Sequence, residues 1–238
     1  MLLYIFQRNL LYFPTDKYEH PFEEIRLKNQ NESISVITLN KGKNKALIYF
    51  GGNAEVVISS AEKFKSAFSD FTIYLFNYRG YGSSSGKPSE QAIYSDALAL
   101  YEKIKPNHTQ ISVLGRSLGS GVATYVAANR HINKAVLVTP YDSILSIAKK
   151  RFSLFPVRFL LKDKYDSLSR VKNISAKIKV LVIAAEHDQI IPMENTQKLV
   201  NEFPDNQASF KVIKESEHNS IANNADFYIA IQDFLNSQ

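Results

Sequence analysis

A mostly parallel α/β sheet of about eight strands, with helices on both faces and a short insertion above one edge, is the fold the sequence predicts. Three observations carry that prediction. Short apolar runs alternate with segments of helical spacing over most of the chain. One such run, Ile111 to Leu114, stops at Gly115-Arg116-Ser117-Leu118-Gly119, and a small-residue, helix-forming run from Val122 to Asn129 follows. Several other apolar runs end in glycine or polar residues, and the carboxyl ends of strands are where open parallel sheets bind ligands.

Composition narrows the class. The 238 residues suffice for one well-buried α/β core and are few for two, so the expected organisation is a single domain over 1–238. Apolar residues make up 45% and charged residues 22%, as in ordinary water-soluble proteins. With no cysteine there is no disulfide framework, thiolate metal site or cysteine nucleophile. That absence fits a reducing, cytoplasmic setting. The formal charge of +6 comes from 29 basic and 23 acidic residues. They are scattered except at Lys149-Lys150-Arg151 and around Lys162 and Lys164, which argues against nucleic acid and leaves room for an anionic lipid surface.

The chain opens with MLLYIFQRNLLYF, apolar at both ends and broken by Gln7-Arg8-Asn9. It is shorter than the roughly 20 apolar residues of a spanning helix and lacks the flanks of a signal peptide. Residues 1–20 read as an arm. It either packs on the domain or touches a membrane peripherally through 1–13.

Phe22–Leu27, Ser33–Leu39 and Ala46–Phe50 read as an antiparallel lead-in of three strands, separated by asparagine- and glycine-rich turns. Gly51-Gly52-Asn53-Ala54 ends the third. A helix is expected from Val56 to Phe68, then a strand from Phe71 to Phe76 and the loop Asn77 to Gly86. Pro88-Ser89 starts a helix carrying Ile93, Ala97, Leu100 and Ile104 on one face. After the Ser117 element come strands at Lys134–Val138, Val180–Ala185 and Ser209–Ile213, and helices near Met193–Phe203 and Ala225–Asn236. Residues 143–179 exceed what one crossover needs. They contain Phe152, Phe155 and Phe159, and read either as a lid over an apolar substrate pocket or as ordinary packed helices. Tyr81, in the glycine-rich loop, is a further pocket candidate.

Strand, sharp turn, helix around G-x-S-x-G is the setting in which a serine hydroxyl is thrust out of a sheet. A serine nucleophile needs a base, and the base needs an orienting acid. Of the five histidines, His20, His108 and His131 are poorly placed, whereas His187 and His218 lie at the carboxyl edge. His218 is the expected base. Asp188, at the end of the Val180 strand, is the expected acid, with Asp142 at the preceding strand end as its rival. Two backbone N–H donors should face a developing oxyanion: Leu118, and Asn53 or its neighbour Ala54. No His-x-x-x-His or carboxylate cluster suggests a metal, and no phosphate-binding glycine motif suggests a nucleotide. No cofactor is expected.

GRSLGSG, FGGNA, FNYRGYGSSSGKPSE, TPYDSI, AEHDQIIP and the late EHN together resemble the α/β-hydrolase superfamily. The resemblance runs from about Leu10 to Leu235. It is closest to the serine hydrolases of the α/β-hydrolase-domain group, which includes protein depalmitoylases and membrane-anchored relatives. It implies the α/β-hydrolase fold, a Ser117, Asp188 and His218 triad, and an oxyanion hole at Asn53 and Leu118. It also implies an Asn77–Ser84 loop shaping the site's edge. The implied activity is hydrolysis of carboxylic esters or thioesters of a small or lipid-like acyl substrate through an acyl-enzyme. A serine aminopeptidase-like activity and a non-catalytic binding role are the alternatives. Two features depart from the family. Gly51-Gly52 stands where relatives often carry His-Gly. Membrane-anchored relatives also have a spanning helix ahead of the QR-x-L-x-Y-x-P stretch, which here opens the sequence, so that anchor is not carried over.

Overall fold

The computed structural model describes residues 2–152 and 155–237. Met1 of the expected arm, Ser153 and Leu154 of the expected lid, and Gln238 lie outside the described residues.

The strands are β1 (Glu23–Asn29), β2 (Glu32–Leu39), β3 (Lys45–Phe50), β4 (Phe71–Phe76), β5 (Gln110–Arg116), β6 (Lys134–Val138), β7 (Lys179–Ala185) and β8 (Ala208–Ile213). They form one sheet in the order β1-β2-β4-β3-β5-β6-β7-β8. All neighbours from β4 to β8 pair in parallel; β2 alone runs against the rest.

The three-strand antiparallel lead-in is therefore corrected. β1 and β2 form the expected hairpin, but β3 leaves it and lies between β4 and β5, parallel to both. Burial explains the move. Ala46 to Phe50 are all inaccessible, and a strand covered on both faces belongs inside a parallel sheet rather than in a half-exposed hairpin.

Helices cover both faces. On one side, α3 (Glu90–Ile104), α4 (Leu118–Asn129), α7 (Ser167–Val171) and α8 (Met193–Val200) pack against alternate strand residues such as Ala46, Ile48 and Phe50. On the other, α2 (Ala61–Ala67) and α9 (Ala225–Asn236) cover Leu47, Tyr49, Ile73 and Leu75. This is the two-residue alternation of a strand with two apolar faces. The helix expected over Val56–Phe68 is a 3-10 turn, Val57–Ser60, followed by α2. Ser89 caps α3 by accepting from the Ala92 N–H at 3.2 Å, as its place before the helical run implies.

The described residues of 143–179 hold three short helices: α5 (Ile144–Arg151), α6 (Val157–Leu160) and α7. The arm opens with α1 (Leu2–Leu11), which is fastened to this insertion. Gln7 donates to the Leu160 carbonyl and accepts from the Lys162 N–H. Arg8 pairs with the buried Asp163 at 2.8 Å, and the Tyr12 and Tyr165 hydroxyls meet at 2.9 Å. No helix among the described residues is long and apolar enough to cross a membrane.

Candidate active site

β5 ends at Arg116 and α4 starts at Leu118, leaving Ser117 alone at the turn. Its φ of 50° and ψ of −117° are conformations that residues with a Cβ rarely hold. Tight packing beneath enforces them. A Cβ on Gly115 would collide with the Gly119 carbonyl, and one on Gly119 with the Phe50 carbonyl. Only glycines let strand, turn and helix approach so closely. The Ser117 N–H donates to the Val138 carbonyl at 2.9 Å, which anchors the turn to β6.

His218 and Asp188 come to this turn from two other strand ends. The His218 Nε2 lies 2.9 Å from the Ser117 Oγ. Its Nδ1 lies 2.8 Å from the Asp188 Oδ2 and 3.0 Å from Oδ1. The imidazole and carboxylate are almost fully buried. A neutral imidazole with its hydrogen on Nδ1 donates to the carboxylate and leaves Nε2 free to accept from the serine hydroxyl. Asp188 also accepts from the N–H groups of Ile190 and Ile191, which hold its side chain in place.

The rival groups are occupied elsewhere. Asp142 is buried and accepts from the Ser143 N–H, the Asn195 amide and the Lys198 ammonium, so it joins β6 to α8. The His187 side chain is exposed beside Glu186. His108 bridges Tyr74 and the Lys43 carbonyl at the opposite end of the sheet. Two carboxylates of the insertion are also engaged, and neither offers a free anion to a peptide's amino terminus. Asp163 is buried with Arg8, and Asp166 caps α7.

The Gly51–Ala54 loop lies against the turn: a Cβ on Gly52 would sit 3.7 Å from the Ser117 Cβ. Neither the Asn53 nor the Leu118 N–H finds an acceptor among the described residues. Ala54 has a φ of 59°, so the chain reverses immediately after Asn53. The Asn53 side chain is clamped. It donates to the Leu11 carbonyl at 2.5 Å and accepts from the Tyr81 hydroxyl at 2.7 Å and the Phe13 N–H at 3.1 Å.

Tyr81 is therefore a buried brace behind Asn53 rather than a wall of an open pocket, and burial pushes its hydroxyl up from the usual phenol range. Phe152 and Phe155 line an apolar groove of about 250 Å³ between α1 and the insertion, whereas Phe159 is not among its walls and stands 83% exposed.

Two residues go unnoticed in the motif reading. Arg116, the variable residue before Ser117, pairs with Glu55 at 2.8 Å and donates to the His218 carbonyl at 2.9 Å. Glu55 also accepts from the Gly52 N–H at 2.7 Å and the Tyr49 hydroxyl at 2.5 Å. Burial, and after it the Glu55 charge, holds the Tyr49 hydroxyl well above its ordinary range, so it remains a donor. One ion pair thus ties together the glycine loop, the serine turn and the histidine loop. The available signal was small: a charged residue inside an otherwise uncharged turn, and a carboxylate immediately after GGNA.

Residues 45–170 match the family model of the alpha/beta hydrolase fold, and the chain belongs to that family. An uncharacterized protein of Mycobacterium tuberculosis is 36% identical over 133 residues, covering 54% of this chain and 47% of that protein. The lysophosphatidylserine lipase ABHD12 of Danio rerio is 31% identical over 149 residues, covering 54% of this chain and 38% of the lipase. The match to each of these relatives thus spans less than half of the relative's length. Among solved structures, the Pyrococcus furiosus esterase Pf2001 superposes with a TM-score of 0.73 at 16% identity, over 94% of this chain and 95% of the esterase, a likeness of fold.

Proposed function

We propose that this protein is a serine hydrolase that cleaves carboxylic ester or thioester bonds of a lipid-like acyl substrate. The single observation that carries the reading is the unbroken line Ser117 Oγ, His218 Nε2, His218 Nδ1, Asp188, with contacts of 2.9 Å and 2.8 Å. The substrate class draws on the similarity to a lysophosphatidylserine lipase.

In this reading the Ser117 oxygen attacks the acyl carbonyl carbon while its proton passes to His218 Nε2. Asp188 opposes the imidazolium charge that results. The carbonyl oxygen, now negative, lies between the N–H groups of Asn53 and Leu118. Collapse breaks the bond to the alcohol or thiol, which leaves with the proton returned by His218. Water then attacks the acyl-serine with His218 as base, releasing the acid and restoring Ser117.

The test is steady-state hydrolysis of p-nitrophenyl esters of increasing chain length beside amino-acid anilides. Turnover of the esters, with kcat lowered roughly 10⁵-fold or more in Ser117→Ala, is expected. A Ser117→Ala protein as active as the wild type, or faster turnover of anilides than esters, would overturn the proposal.

A further inference from the structure

We propose that α1 and residues 144–164 of the insertion together form a docking face for a bilayer rich in anionic phospholipid. This face extends beyond the 1–13 contact expected of the arm: three of its five exposed large apolar side chains and six of its seven cations come from the insertion.

Large apolar side chains are concentrated there. Of the nine exposed among the described residues, five belong to this face: Tyr4, Leu10, Phe152, Phe155 and Phe159. The first four wall the 250 Å³ groove, and Phe159 projects from α6 nearby. Aromatic rings of this kind suit the boundary between headgroups and acyl chains, and an apolar groove can accept part of a chain.

The charge is concentrated on the same segment. Residues 144–164 carry six lysines and arginines against one carboxylate, Asp163, a surplus of five in a chain whose total surplus is six. All six cations are exposed, whereas Asp163 is buried with Arg8. Lys150 reaches Glu194, and Lys162 sits 4.2 Å above the Tyr4 ring. Lys149, Arg151 and Arg158 have no carboxylate partner among the described residues. α1 contributes Arg8 and has no acidic residue.

The combination favours one occupant. A second copy of the chain would bring the same surplus of cations face to face. A nucleic acid would meet the cations but has no apolar phase to cover the groove. Anionic phospholipid supplies both the charge and the apolar boundary. The proposal does not rest on the hydrolase reading, because it concerns binding and not turnover.

Co-sedimentation tests it, using vesicles of phosphatidylcholine alone and of phosphatidylcholine with phosphatidylserine at about 7 to 3. The wild type should bind the anionic vesicles, bind the neutral ones far less, and be released by salt. Lys149→Gln with Lys150→Gln and Arg158→Gln should lower partitioning roughly 100-fold. Phe155→Ser with Phe159→Ser should also weaken it, with salt sensitivity retained. Thermal melts of both variants should match the wild type, since all five side chains are exposed. Equal binding to both vesicle types, no binding, or wild-type partitioning of the lysine and arginine variant would overturn the proposal. So would retention on an oligonucleotide with no vesicle binding.

Discussion

Ser117 occupies a backbone conformation that costs of the order of 1–3 kcal/mol for a residue with a Cβ. Alanine at that position keeps the cost and glycine removes it. Ser117→Gly should therefore be more stable than Ser117→Ala by about 1 kcal/mol in urea unfolding, after allowing for glycine's extra freedom in the unfolded chain. Equal midpoints would show that the turn is unstrained. A second expectation concerns pH and lies away from the site. Desolvation lowers the pKa of His108 below its usual 6.5, and its hydrogen bonds to the Lys43 and Asn44 backbone offset only part of that. A histidine lowered on folding takes up its proton more readily when unfolded. Its contribution is full above the unfolded value and is lost as pH falls through the imidazole range. Between about pH 7.5 and pH 5.5 the wild type should lose more stability than His108→Gln, as read by urea midpoints. Identical losses would remove His108 as a source of acid sensitivity. The meeting of Ser117, Asp188 and His218 was legible because each lies in the loop that follows a strand-like run, on the carboxyl edge of a parallel sheet. The burial of Tyr81 was not, because a tyrosine in a glycine-rich loop looks the same in sequence whether its ring faces solvent or packs against Asn53.

At the scale of elements, three loops must hold a common geometry, and the Glu55–Arg116 pair is what joins them. Glu55 fixes the Gly52 N–H and the Tyr49 hydroxyl, while Arg116 holds the His218 carbonyl. Both are positioning residues in the proposed reaction. Glu55→Gln should lower kcat about 10- to 100-fold with KM little changed, because a misplaced donor acts mainly on the transition state. Rates normalised to the fraction of protein that reacts with an active-site probe separate this from partial unfolding. A normalised kcat equal to the wild type would reduce the pair to a structural tie. The elements themselves were largely readable from periodicity, and α3 and α9 fall close to where it put them. The place of β3 was not, because strand order depends on which strands bury both faces. Burial of Ala46 to Phe50 is decided by α2 and α4, which no local pattern contains. The insertion's apolar content was also visible, but not its attachment to α1 through Gln7, Arg8 and Tyr12. Those contacts join residues more than 150 positions apart.

Across the whole molecule, the sheet brings three distant strand ends to one edge, and the arm and insertion lie together beside that edge. The chain returns repeatedly to the same edge because each helical crossover from β3 onward brings the next strand back parallel. That repetition allows residues 117, 188 and 218 to meet without any local sequence linking them. In the proposed reaction Ser117 is the nucleophile and His218, 2.9 Å away, activates it. Intact-mass and peptide analysis after exposure to a fluorophosphonate tests that role most directly. One adduct is expected, on the peptide containing Ser117, absent from Ser117→Ala and formed far more slowly in His218→Ala. Labelling of Ser117→Ala to the same extent as the wild type, or an adduct on another residue alone, would contradict it.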